Sequence, residues 1–295
     1  MLPKKKSQQS KLQEYRMKKW NLIIDVGKCH NSNNCFLSVV DEYQGNDHPG
    51  YSAAMPKHGH YWIDHLRKER GQAPMVDLTY VPTMCNHCDN APCLKVAENG
   101  AVTKRSDGIV IIDPEKAKGQ RKLVDTCPYG AIWWNEEKEI PQTWIFDAHL
   151  LDRGWKEPRP VQACGTGALR SVFVEDSEMQ RIVKDENLQV LHPEYGTKPR
   201  VYYRNLNLYT KCFIGGSVVA DIEGAEECIE RSFVSLIKDG SKIAETWTDI
   251  FGDFKLDNLE PESGSYDLEV SHPEHSSTTV SVTLGESTYI GSIRL

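Results

Sequence analysis

Three cysteines within nine residues constrain this chain more than any other feature of it. The segment Cys85-Asn86-His87-Cys88-Asp89-Asn90-Ala91-Pro92-Cys93 places two and then four residues between its thiols. On a tight loop, three thiolates so spaced can each reach a different iron of one cuboidal cluster. The fourth ligand then comes from elsewhere in the chain, commonly from a cysteine followed by proline. Cys127-Pro128 supplies one. A structural zinc site usually pairs two Cys-x-x-Cys knuckles, and a single knuckle with a lone cysteine five positions on fits it poorly. The expectation is one 4Fe–4S cluster on Cys85, Cys88, Cys93 and Cys127.

Seven of the nine cysteines fall between Cys29 and Cys164. Cys29-His30-Asn31-Ser32-Asn33-Asn34-Cys35 repeats the spacing of a ligand triplet with serine in the middle, and Cys164-Gly165 offers a distant fourth thiol with glycine in place of proline. Three readings of Cys29, Ser32, Cys35 and Cys164 stay open: a 4Fe–4S cluster with a serine alkoxide ligand, a 3Fe–4S cluster on the three cysteines, or three buried thiols without metal. Cys212 and Cys228 have no metal spacing and read as core or surface thiols. His30 and His87 lie inside the cysteine loops, as tuning groups near sulfur or as solvent-facing spacers. His48, His58, His60 and His65 are irregularly spaced and read as a hydrated or partner-facing loop.

The 35 basic residues are outnumbered by 42 acidic ones, a formal charge of −7, which argues against nucleic-acid binding. No apolar run approaches the roughly 20 residues of a membrane helix. Residues 1–19 are lysine-rich, with neither an apolar core nor twin arginines, and read as a solvated basic tail rather than an export signal. Cysteines spaced for metal, with no signal, point to the cytoplasm and reduced thiols. Residues 20–198 are rich in turns and short elements, with an insert over 40–83 that includes a polar, helical stretch from Tyr61 to Arg70. Val201-Tyr202-Tyr203, Val218-Val219-Ala220, Phe233 to Ile237, Tyr266 to Val270 and Thr279 to Val282 read as short alternating strands, so residues 199–295 are expected to form a β-sandwich. Thr248 to Phe254, with Leu259 and Gly264-Ser265-Tyr266, resembles the prealbumin-like or collagen-adhesin-B-like sandwich. The fold class expected is α+β, a duplicated ferredoxin-like iron–sulfur domain followed by a small all-β sandwich.

Cys85 to Cys93, Asp107-Gly108-Ile109-Val110 through Pro114-Glu115-Lys116, and Cys127-Pro128-Tyr129-Gly130 resemble the four-cluster ferredoxin subunits of the dimethylsulfoxide reductase family. The likeness is strongest to a branch that serves polyphenol chemistry. It extends through Asp25-Val26-Gly27-Lys28-Cys29, Trp133-Trp134-Asn135-Glu136-Glu137 and Gly196-Thr197-Lys198-Pro199-Arg200-Val201-Tyr202-Tyr203. That family pairs four cysteine motifs crosswise to hold up to four clusters. Carried over residue by residue, the resemblance implies one intact site on Cys85, Cys88, Cys93 and Cys127. A second has Ser32 between Cys29, Cys35 and Cys164. A third has lost its ligands, with Ala97, Ala117, Gln120 and Leu123 in their places. The fourth is lost likewise, at Val39, Trp144, Asp147 and Pro160.

The resemblance further implies a non-catalytic component that joins a large catalytic partner, as a heterodimer or a multiple of one. That partner would carry molybdopterin guanine dinucleotide with molybdenum, which this chain would not. Hydroxylation or hydroxyl transfer on a polyphenol would then belong to the partner, and structural support and electron storage to this chain. Two alternatives remain: an electron-transfer subunit of another molybdenum oxidoreductase, and a non-redox assembly subunit with degenerate cluster sites.

Overall fold

The computed structural model describes residues 18–295. Most of the expected tail 1–19 therefore lies outside the described residues, while Lys18 and Lys19 already belong to the first strand, Lys18–Asp25. The chain divides into two compact units. The first takes the described residues up to Leu66 together with Tyr80–Leu206, and the second takes Arg67–Thr79 with Asn207–Leu295.

The first unit is built on a three-stranded sheet with Lys18–Asp25 at its centre, antiparallel to Leu169–Glu175 and parallel to Val201–Arg204. Val201 and Tyr203 are buried and pair in register with Leu22 and Ile24. This corrects the expectation that Val201-Tyr202-Tyr203 opens the sandwich: its alternation matches the first sheet, and the unit boundary falls after Leu206 rather than at 198. Helix Asp176–Asp185 seats Met179 on the sheet beside Ile23 and Leu188. Helix Asn34–Tyr43 buries Cys35, Ser38, Val39 and Tyr43, the spacing of one helical face, and packs against helix Arg159–Ala163. The remainder is short: helices Pro92–Val96 and Lys122–Asp125, and hairpins Val102–Lys104 with Val110–Ile112 and Trp133–Asn135 with Ile140–Gln142. Elements this small bury little surface, so cross-links or metal must help to hold them.

The stretch expected to be helical from Tyr61 to Arg70 is instead the strand Ile63–Gln72, hairpinned to Met75–Met84. Gly71 sits at φ +79°, where a Cβ would come within 2.4 Å of the Met75 carbonyl oxygen. Only glycine takes this backbone without strain, and it stands two residues before the Ala73-Pro74 turn that returns the chain into the partner strand.

The second unit is a β-sandwich. One sheet holds Ala225–Cys228, Cys212–Ile222, Asp253–Leu259 and Thr288–Arg294; the other holds Ser241–Trp247, Phe233–Lys238, Gly264–His272 and His275–Leu284. Ile214, Val218, Val234, Leu236, Leu268 and Val270 form its dry centre, contributed by both sheets. Cys212 lies in this core and Cys228 is exposed. The Arg70 side chain, fully closed to solvent, bonds Asp77 at 2.7 Å and Asp257 at 3.0 Å. No helix among the described residues is long and apolar enough to cross a membrane.

Candidate metal centre

Cys85, Cys88, Cys93 and Cys127 line one small apolar space in the first unit, closed by Ala91, Val110, Ile112, Ile132 and Thr143. Cys85 follows directly on the strand Met75–Met84, Cys93 stands in the first turn of Pro92–Val96, and Cys127 follows the helix Lys122–Asp125. Burial pushes the Cys88 and Cys93 thiols up to about 11, helped by the neighbouring thiols, and holds Cys85 well above the usual thiol value. Burial raises Cys127 as well, against the pull of backbone N–H groups of Ala131, Tyr129 and Gly130 aimed at its sulfur. As free groups these thiols would stay protonated at neutral pH, so four thiolates here need a bound cationic centre.

Among the described residues, Glu42, His48 and His149 bring three potential ligand atoms within 4.8 Å of one another.

Two cations are fixed beside the cysteine loop. Lys104 Nζ donates to the carbonyls of His87 at 2.8 Å and Cys88 at 3.0 Å, and pairs with Asp89 at 2.9 Å. Arg200 grips Asp89 through Nε at 2.8 Å and Nη2 at 2.5 Å, and reaches Asp176 at 2.9 Å. His87 is buried, with its Nδ1 accepting the Val110 N–H at 3.1 Å. Its proton therefore resides on Nε2, and burial, with Lys104 and Arg200 nearby, pushes its pKa down to about 3. His30 is exposed.

Burial raises the Cys29 and Cys35 thiols, Cys35 to about 11, and neighbouring thiols add to the rise: Cys164 at Cys29, and both Cys29 and Cys164 at Cys35. Packing of Asn34–Tyr43 on Arg159–Ala163 brings Cys35 and Cys164 together. Ser32 is exposed. His65 Nε2 lies 3.5 Å from Cys35 Sγ, a neighbour that the irregular histidine spacing did not signal. His60 is held by Trp62 and the Trp134 carbonyl, and His58 is exposed.

The remaining family positions are filled by packed side chains. Ala117 and Leu123 are buried in one apolar cluster, against which Ala97, Cys93 and Cys127 pack. Gln120 bonds the Glu98 and Lys116 backbone. Val39, Trp144 and Pro160 are buried. The Asp147 carboxylate accepts from Trp144 Nε1 at 2.9 Å and the Arg159 N–H at 2.7 Å.

Glu42, His48 and His149 could not be grouped from sequence because they are 107 residues apart at the extremes. Their two imidazole centroids lie 3.9 Å apart, with the rings tilted by 31°. Arg159 already neutralises Glu42 at 2.5 Å. The group is a polar clasp between helices.

Fold and thiol set together define an iron–sulfur protein of the ferredoxin type, and residues 76–173 match the model of the 4Fe–4S dicluster domain family. The chain is 42% identical, over 95% of its length and all of the relative's, to the pyrogallol hydroxytransferase small subunit of Pelobacter acidigallici. It is 28% identical to the arsenate respiratory reductase iron–sulfur subunit of a Shewanella species, over 62% of this chain and 94% of that one. It is 28% identical to a tetrathionate reductase subunit of Salmonella typhimurium, over 64% and 73% respectively. The chain belongs to the family of the pyrogallol hydroxytransferase small subunit. A minor pilin of Streptococcus agalactiae aligns over 94% of each chain at 12% identity, but its TM-score of 0.24 carries no argument about the fold.

Proposed function

We propose that this chain is the iron–sulfur small subunit of a molybdopterin-dependent hydroxylase or hydroxyltransferase acting on polyphenols. The observation that carries the reading is the convergence of Cys85, Cys88, Cys93 and Cys127 on one apolar space, within a chain similar end to end to a pyrogallol hydroxytransferase small subunit. In this reading those four residues hold one 4Fe–4S cluster, and Cys29, Cys35 and Cys164 hold a second of four or three irons. Such a cluster supplies one-electron storage. Positions 39, 144, 147 and 160, and 97, 117, 120 and 123, hold none. The molybdenum and its guanine dinucleotide cofactor would sit in a large partner subunit in the cytoplasm. The sandwich is read as prealbumin-like or collagen-adhesin-B-like, and serves structure without chemistry.

A second reading, electron transfer for another molybdenum oxidoreductase, is favoured by the likeness to the arsenate and tetrathionate reductase subunits. Purification with the native partner separates them. Molybdenum in the partner and hydroxyl exchange between two phenols support the first reading; a complex that instead reduces an oxyanion supports the second. A complex with neither iron nor molybdenum would overturn both.

A further inference from the structure

The second cysteine set is assembled from the ends of elements. Where the strands Lys18–Asp25 and Leu169–Glu175 pair, the Asp25 N–H donates to the Ala168 carbonyl at 2.8 Å. Cys29 follows Asp25 by four residues and Cys164 precedes Ala168 by four, so both lie at the same end of that pair. Helix Asn34–Tyr43, packed on Arg159–Ala163, presents the buried Cys35 from its first turn.

Two side chains reach the sulfurs of this set. The Thr166 hydroxyl lies 3.7 Å from Cys164 Sγ, but Thr166 is exposed and water competes for it. His65 Nε2 lies 3.5 Å from Cys35 Sγ, a hydrogen-bonding distance for sulfur, and there the sulfur belongs to a buried residue. The contact is held in place by an aromatic pair. Phe36, next to Cys35 on the helix, stacks on Tyr61 with ring centroids 5.4 Å apart and a tilt of 23°. Tyr61 leads into the strand Ile63–Gln72 that carries His65, so the stack sets the start of this strand against the first turn of the helix. Direction follows from valence. An iron-bound Cys35 is a thiolate, which only accepts, so the shared proton must sit on His65 Nε2. His87 is the contrast at the other set: its Nδ1 lies 3.8 Å from Cys85 Sγ, but it accepts the Val110 N–H and has no proton to give there.

We propose that His65 donates a hydrogen bond from Nε2 to the Cys35 sulfur and so raises the reduction potential of the centre held by Cys29, Cys35 and Cys164. The proposal rests on the ligand reading given under Proposed function. Reduction adds one negative charge to a thiolate-bound centre, so a donor on a ligand sulfur stabilises the reduced form more than the oxidised one. His65 is a positioning residue that acts through Cys35 and supplies no ligand atom.

The test is a redox titration of the full chain in its native complex, followed by electron paramagnetic resonance, with iron measured in each sample. In His65→Leu the midpoint of this second centre should move negative at unchanged iron content, while that of the centre on Cys85, Cys88, Cys93 and Cys127 should stay. His65→Gln, whose amide N–H takes the place of the imidazole one, should return the midpoint toward wild type. An unmoved second midpoint in His65→Leu at full iron content overturns the proposal. Should His65→Leu lose iron, pulsed resonance of wild type carrying nitrogen-15 histidine decides. The weak coupling of a hydrogen-bonded histidine nitrogen supports donation, whereas the strong coupling of a metal-bound nitrogen, or none, overturns it. A wild-type complex that shows the first centre without a second overturns the ligand reading of Cys29, Cys35 and Cys164 together with the donation. A second centre that is present but insensitive to the variants overturns the donation only.

Discussion

The Asp147 carboxylate accepts a hydrogen bond from the Tyr43 hydroxyl at 2.7 Å, in a place where neither residue meets solvent. Trp144 Nε1 and the Arg159 N–H complete the set, so one buried carboxylate joins the helix Asn34–Tyr43 to the segment 144–159. Burial raises the pKa of Asp147 in spite of these donors. Asp147→Ala strands three buried donors, and a loss of about 3 kcal/mol is expected. Urea titration of the chain checks it; a midpoint within error of wild type would show that water had replaced the carboxylate.

Metal-ligand energy is part of the folding energy in a unit made of such short elements. Cys88→Ala should therefore lose about four irons per chain and melt earlier, while the wild type should hold no more than about eight. Iron analysis of both proteins is the check. A wild-type content near sixteen would refute the assignment of two vacant sites.

Arg200 bridges Asp89 and Asp176. For each carboxyl burial acts upward, but the bonds from Arg200 and from Lys104 or Lys19 outweigh it and leave the pKa lowered. A lowered folded-state pKa gives stability that is present above the ordinary carboxyl value of about 3.9 and disappears as pH falls below it. Arg200→Met should thus be less stable than wild type at neutral pH, with the gap narrowing below about pH 4. Parallel melts across that range check the sign. A gap that widens on acidification contradicts the role given to Arg200.

Within the second unit, Arg70 is closed to solvent and holds two carboxylates, with its guanidinium 5.4 Å from the Phe213 ring centroid. Removing one partner of a buried ion group leaves the other uncompensated, so Arg70→Met should cost about 3 kcal/mol. Because the loss lies in the sandwich unit, iron content should stay at the wild-type level. Iron loss in this variant would show that the hairpin also governs the metal centre.

The cysteine chemistry was legible because ligand spacing is local: two and four intervening residues define a loop whatever surrounds it. The expectation of vacated positions came from the family pattern, and at two of those positions the structure has the buried Trp144 and the backbone-bonded Gln120. Three features were not legible. Ile63–Gln72 is strongly charged, and only its hairpin partner makes it a strand. Val201–Arg204 has a period of two that suits either unit, and its register with Leu22 and Ile24 decides between them. The Cys35–His65 pair and the Glu42–His149 pair join residues 30 and 107 apart, and no local spacing records such meetings.

The allotment of residues 67–79 to the second unit sets a timetable for biosynthesis. Arg70 leaves the ribosome 187 residues before Asp257, its partner. At about 5–20 residues per second, that is a wait of roughly 10–40 s. Throughout it the first unit can gather its sheet and its thiols, while the tip of the hairpin has no sandwich to join. The chain passes from one unit to the other three times, after residues 66, 79 and 206. A single protease cut or a simple end-to-end gene fusion therefore cannot separate or exchange the units cleanly. Removing the sandwich would also remove residues 67–79, so the hairpin would have to be rebuilt with it.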